Sequence, residues 1–334
     1  MTVSQLFPAL VDAEEIYEEP IENEIDPQWI AIASDILENG MDQKPQNVRA
    51  KYKTDKSPAV ARYVIGRTMS FSGKYVPIQQ SKLIRPKKPV QELILWMWQQ
   101  KSNRIEDLHK YDCKIWDEWV FPQGHKHEGT IGPAYGFVLG IKCRKYPVSK
   151  LKWHHLDQSK EMPKIHTAED GSKYVMLDQV DYLIQELLNN PTSRRLVISI
   201  WDLMLLDEMY LEPCVWSTEW FVDEEKYLHV IVNARSQDFC LGTPFNTTQY
   251  YILQARLAQV AGLKVGSMLY VMGNTHIYDR HFDGAKQIIE GNYNKKGVTL
   301  KLNPHVTNFY EFTDDDFELV GYEPGPNIKF EIAE

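Results

Sequence analysis

The chain has 334 residues, of which 43% are hydrophobic and 25% charged, and its formal net charge is −9. This is the mix of an ordinary globular protein of one large domain or two small ones. The negative balance argues against a general affinity for nucleic-acid phosphates, and no apolar run approaches the roughly 20 residues that span a bilayer.

The N-terminus lacks the basic start and apolar stretch of a signal peptide, so a cytoplasmic location is expected. Residues 13–26 (AEEIYEEPIENEID) are strongly acidic with no basic residue, and blocks of this kind stay solvated. Residues 1–26 are therefore expected to be an appendage, with a helix from just after Asp26-Pro27 to near Gly40. Residues 42–57 are polar and basic and predict a loop, and residues 60–72 alternate as a strand does. The run VQELILWMWQQ at 90–100 is apolar at helical spacing. Residues 144–173 have the composition of a surface insertion. A second helical pattern covers 178–190. RRLVISIW at 194–201 is a β-branched run headed by two arginines and predicts a buried strand. Residues 220–236 predict a hairpin with an acidic turn, 247–262 a helix, and 267–278 a strand. Helices and strands alternate irregularly, which predicts an α+β fold with a mixed sheet rather than repeated βαβ units.

Several residues could carry chemistry. The four cysteines (Cys113, Cys143, Cys214, Cys240) show no paired or zinc-type spacing and are expected as free thiols. Cys214, in Glu212-Pro213-Cys214-Val215-Trp216, lies just ahead of a strand and is either a nucleophile favoured by nearby cations or a small buried hydrophobe. Arg194-Arg195 could grip a phosphate bidentately or stand as a solvated pair. Arg235, Ser236 and Asp238 put a cation, a hydroxyl and a carboxylate within four residues. Asn246 could read one edge of a pyrimidine, having both a donor and an acceptor, or could cap a helix starting near Thr247. His276 and Tyr278 share one face of a strand. Glu92 in an apolar helix is a candidate acid/base group. His125-X-His127 and His154-His155 have no plausible ligand set, and no metal is expected.

In combination these segments resemble the thymidylate synthase family. The resemblance is carried by PCVWSTEWFV, ARSQDFCLGTPFNTTQY and MGNTHIYDRH, in that order, with IWDEW and GTIGPAYG upstream and GYEPGPNIKFEIA near the end. It covers roughly residues 28 to 334 apart from the insertion, and so implies a catalytic domain over 27–334. The family's fold is a single α+β domain whose large sheet packs back to back against its twin in a homodimer. The resemblance implies that Cys214 adds to C6 of dUMP. Arg235, Ser236 and, in a more divergent loop, Arg49 would bind the phosphate, and Arg194 and Arg195 would reach the partner's phosphate across the dimer. Asn246 would read uracil O4 and N3, and His276 and Tyr278 the ribose hydroxyl. Asp238 would bind the pterin beside the nucleotide, Glu92 and Tyr135 would manage proton transfer, and Trp116 and Trp119 would line the folate side. The implied co-substrate is 5,10-methylenetetrahydrofolate, which delivers a carbon and a hydride to give dTMP and dihydrofolate.

The chain departs from the common pattern at Val215, Glu219 and Asn274, at Arg85 on the folate side, and at Ala333-Glu334, where most members end in an aliphatic residue. The altered C-terminus brings in a dUMP hydroxymethylase, which adds water instead of hydride, as the alternative outcome. A non-catalytic nucleotide-binding relative is the remote one.

Overall fold

The structure, a computed structural model, describes residues 22–333. Most of the acidic stretch falls outside that range. Its last residues do not: the first helix runs Ile25–Asn39, three residues earlier than predicted. The early start has a polar cause. Asn23 Oδ1 accepts from the backbone N–H groups of Ile25 and Asp26, and the buried Asp26 carboxylate accepts from Gln80 N (2.8 Å) and Ser81 N (3.1 Å). A buried carboxylate is tolerated when hydrogen bonds replace its water.

The strands, in chain order, are β1 (Met41–Asp42), β2 (Ala61–Phe71), β3 (Arg144–Pro147), β4 (Ile165–Thr167), β5 (Lys173–Leu177), β6 (Val197–Ser199), β7 (Val215–Val222), β8 (Tyr227–Asp238), β9 (Lys264–Tyr278), β10 (Thr299–Leu302) and β11 (Phe317–Val320). Six of them form one sheet in the order β1-β2-β9-β8-β7-β6. Within it only β8 and β9 run parallel. Their connection is the Gly242–Ala261 helix, as a parallel pair requires. The sheet is therefore mixed, as the irregular alternation predicted.

This topology positions the site. Parallel strands end on the same side, and the register pairs Asp238 with His276 and Ser236 with Asn274. β7 is antiparallel to β8, so its beginning, next to Cys214, lies at that same edge, with Val215 opposite Ala234. A bulge between Val215 and Ser217 interrupts the ladder just beyond Cys214.

Four elements depart from, or go beyond, what the sequence predicted. The run 194–201 forms only a three-residue edge strand. Leu196, Ile198 and Ile200 are buried while Val197 is 43% exposed, because an edge strand covered on one face buries alternate residues. The helix expected from 247 begins at Gly242. Pro244 fits its first turn, where no N–H is needed, and Asp238 Oδ1 receives Cys240 N and Leu241 N at 3.0 Å each. The insertion at 144–173 is organised rather than loose: β3, β4 and β5 form a separate sheet over a second small core of Tyr146, Leu151, Leu156, Val175 and Leu177. The apolar 91–99 run is helical, but with the wide i→i+5 turn of a π-helix, and Gln100 N reaches Leu95 O at 3.0 Å. A helix apolar on nearly all sides belongs inside the protein, and Leu93 through Gln99 are buried.

Candidate active site

A cleft of about 440 Å³ opens where the ends of β8 and β9 meet the start of β7 and the Gly242–Ala261 helix. Its wall includes thirteen residues singled out from the sequence: Arg49, Glu92, Trp116, Trp119, Tyr135, Cys214, Arg235, Ser236, Asp238, Asn246, His276, Tyr278 and Ala333. Arg194, Arg195 and Arg85 are exposed and do not line it.

Cys214 is held through its backbone. Its N–H donates to Tyr135 Oη at 3.1 Å, and its carbonyl accepts from Arg235 N at 2.9 Å. The Arg235 guanidinium clamps the two preceding residues, with Nε on Pro213 O and Nη2 on Glu212 O, both at 2.9 Å. Burial raises the thiol above the ordinary cysteine value, Arg235 opposes that in part, and Asp238 adds to it. The expectation that converging arginines would favour the thiolate holds only for Arg235, and burial outweighs it. Tyr135 has φ +43°, a region that costs a non-glycine residue strain and tends to be kept at functional sites. That conformation places its hydroxyl under the Cys214 amide.

Glu92 stands in the first turn of the π-helix. Its Oε1 accepts from Trp116 Nε1 at 2.6 Å, and its Oε2 accepts from Gln249 Nε2. Burial raises its carboxyl to about 7, and the two hydrogen bonds limit the rise. The group can therefore hold or release a proton near neutrality, which suits general acid/base work.

Asn246 is the fifth residue of its helix and so does not cap it. Its Oδ1 accepts from Gln237 Nε2 (3.2 Å) with Tyr270 Oη 3.3 Å away, and its Nδ2 donates to Gln249 Oε1 (2.9 Å). Gly242 makes room for this arrangement, since a Cβ there would lie 2.7 Å from Gln237 Nε2. His276 Nδ1 meets Asn274 Oδ1 at 3.0 Å, and burial lowers its pKa, keeping the ring neutral. Trp116 stands edge-on to both Trp119 (5.6 Å between centroids) and Tyr135 (5.2 Å). With Ile115, Leu211, Phe245 and Ile332 these rings form an apolar wall that fits a flat heteroaromatic ligand.

Sequence reasoning missed Gln249, Gln237 and Tyr270. Gln249 was detectable, because it lies three residues after Asn246 and such residues face each other on a helix. Starting the helix at 247 put Asn246 outside it and hid the relation. Among the described residues, no group of three or more His, Cys, Asp or Glu side chains could hold a metal ion. None of the described helices is long and apolar enough to cross a membrane.

The model of the thymidylate synthase family matches residues 27–334. The chain is 40% identical to thymidylate synthase 1 of Bacillus spizizenii over 310 residues, which cover 93% of this chain and 99% of that one. It is 39% identical to the thymidylate synthase of Bacillus phage phi3T with the same coverage. The solved structure of thermostable thymidylate synthase A from Bacillus subtilis is similar with a TM-score of 0.78 at 39% identity, over 92% of this chain and 99% of that one.

Proposed function

From the premise that this chain belongs to the thymidylate synthase family, we propose that its cleft converts dUMP and 5,10-methylenetetrahydrofolate to dTMP and dihydrofolate. The protein is a methyltransferase of that type. The observation that carries the reading at residue level is the convergence of a thiol, a carboxyl poised near neutrality, an amide and two arginines in one cleft.

The chain's residues act on dUMP as follows. Arg235, Ser236 and Arg49 bind the phosphate, and His276 with Tyr278 holds the ribose hydroxyl. Asn246 reads the O4/N3 edge of the base. Cys214 loses its proton and its sulfur adds to C6, leaving an enolate whose negative charge at O4 is met by the Asn246 amide and by a proton managed by Glu92. Tyr135 holds the Cys214 backbone in place for that attack and takes part in moving the proton from C5. The folate co-substrate supplies the one-carbon unit and the hydride, and Trp116, Trp119 and Asp238 hold it beside the base. Ala333 and Ile332 complete that end of the cleft. Hydration of the intermediate, the hydroxymethylase outcome, has no support among the relatives, which are named thymidylate synthases.

The assembly is a homodimer formed by the outer sheet face. Ile65, Val197, Trp216 and Phe221 are exposed on strands of the sheet, and Leu203 (77%) and Met204 (88%) are exposed nearby in the chain. An apolar surface of this kind suits burial against a second copy. Arg194 and Arg195, outside their own cleft, then complete the partner's phosphate site.

The reading is tested by incubating the protein with dUMP and methylenetetrahydrofolate and weighing the nucleotide product. dTMP is expected, and unchanged dUMP overturns the proposal. Mixing Cys214→Ser with Arg195→Ala protein should restore activity, since one mixed site has both residues. No recovery after verified subunit exchange would place the arginines in cis.

A further inference from the structure

The groups around Asn246 form one chain of hydrogen bonds with a single donor-to-acceptor direction. Tyr270 Oη donates to Gln237 Oε1 (2.8 Å), Gln237 Nε2 to Asn246 Oδ1 (3.2 Å), Asn246 Nδ2 to Gln249 Oε1 (2.9 Å), and Gln249 Nε2 to Glu92 Oε2. Gln249, Gln237 and Tyr270 are at most 2% exposed. At its buried links water cannot readily repair a reversed hydrogen bond, so each amide's orientation is set by its neighbour.

The direction has one origin. The indole of Trp116 can only donate, so Glu92 Oε1 is an acceptor in every arrangement. At Oε2, a reversed Gln249 would set its carbonyl against a carboxylate oxygen. With Glu92 ionised, Gln249 must therefore donate to it, which leaves its own carbonyl as the acceptor for Asn246. Asn246 must then turn Nδ2 toward Gln249 and Oδ1 toward Gln237, and its second Nδ2 hydrogen remains for the base. A uracil needs a donor at O4, whereas a cytosine presents a donor there.

We propose that Gln249 is a positioning residue that sets the orientation of the Asn246 amide from the carboxylate of Glu92, and so couples the choice of uracil over cytosine to the group that manages the proton at O4. This rests on the roles given to Asn246 and Glu92 above. Gln249 itself takes no part in the chemistry. Its effect is to make one amide donate where the substrate must accept, and an unmatched buried pair at that point discriminates strongly.

The test uses the full-length protein, with Kd for dUMP and for dCMP measured by calorimetry without folate and turnover measured separately. Gln249→Met keeps the bulk and removes both hydrogen bonds. It should narrow the dCMP/dUMP Kd ratio by about tenfold or more and lower kcat by roughly 10-fold or more, with KM for folate nearly unchanged. The swap Glu92→Gln with Gln249→Glu restores the direction: position 92 then donates to position 249, which still accepts from Asn246. It should return the Kd ratio to within about threefold of the parent protein while kcat stays low, because the acid is gone. A merely structural role for Gln249 would not separate the two readouts. Should Gln249→Met fail to fold, the volume-conserving swap decides by itself.

A parent-like Kd ratio and kcat in Gln249→Met, or a folded swap whose ratio stays narrowed, overturns the inference. The parent protein's turnover keeps this distinct from the broader reading. If it makes dTMP while the variants behave like the parent, only the role of Gln249 fails. If it makes none, the assigned function fails.

Discussion

At the floor of the cleft Glu92, Gln249 and Asn246 meet Gln237 and Tyr270 behind them, through amides, a phenol and one carboxyl. At the C-terminal rim, charged groups meet in reach of solvent. Arg280 Nη1 donates to Glu331 Oε2 at 2.9 Å, and its Nη2 donates to Asp55 Oδ2 at 2.6 Å and Ser57 Oγ at 2.8 Å. A single guanidinium thus ties the segment carrying Ile332 and Ala333 to the loop that follows Arg49. Tyr52, in that loop, pairs with Ala333 through the backbone.

The two regions titrate in different ranges. Burial holds Glu92 at about 7, within the working range of an enzyme. Hydrogen bonds from Arg280 and Ser57 hold Asp55 at about 2. Asp55 therefore stays ionised, and the rim contact is lost only as pH falls from the ordinary carboxylate range toward about 2. Buried hydrogen bonds fix orientation and are costly to break. Exposed ion pairs contribute little each and are screened by salt. Orientation is what the base needs, and a reversible tie is compatible with a segment beside the opening.

Breaking the floor should have the larger consequences. Cys214→Ser removes the nucleophile and should lower kcat by at least roughly 10³-fold, with dUMP binding by calorimetry retained. A variant turning over near the parent rate would refute the covalent mechanism.

Glu92→Gln should lower kcat by roughly 10²-fold. It also sharpens the contrast in pH. In the parent protein the acid form of Glu92 declines as pH rises through about 7, while the Cys214 thiolate, whose thiol lies above the usual cysteine value, increases. The two trends offset each other. Without the Glu92 trend, kcat/KM of the variant should climb with pH across that range, and a parent-shaped profile would remove Glu92 from the proton path.

Asn246→Asp should weaken dUMP and favour dCMP, shifting their kcat/KM ratio by about 10²-fold. The helix-cap alternative, already opposed by the helix start at Gly242, predicts no shift.

The rim should respond least. Arg280→Gln should raise KM for the folate a few-fold, with kcat within about twofold, and the parent's own KM should drift the same way with added salt. A loss of kcat as large as that in Glu92→Gln would mean the rim orients the reacting groups and would erase the distinction between the regions.

Much of the cleft was legible residue by residue. Cys214, Glu92, Asn246 and His276 announce themselves by residue type and motif, and the mixed sheet by irregular alternation. The links between them were less so: the i, i+3 spacing of Asn246 and Gln249 is local, but nothing local marks Gln237 as a partner of Asn246 or Glu92 as a partner of Gln249. The 194–201 run shows the opposite failure, because its apolar pattern is that of a strand covered on both faces, and only its place at the sheet edge leaves Val197 exposed.

The sequence by itself determined which chemical groups are available, the periodicity of most elements and, through its motifs, the family. Those depend on side-chain identity and on spacing of a few residues, which the linear order records. Tertiary structure alone decided that burial would outweigh Arg235 at Cys214, that Glu92 would rest near neutrality, and which way the Asn246 amide would face. Desolvation and hydrogen-bond direction depend on what surrounds a group in space, and residues such as Glu92 and Gln249, 157 positions apart, become neighbours only when the chain folds.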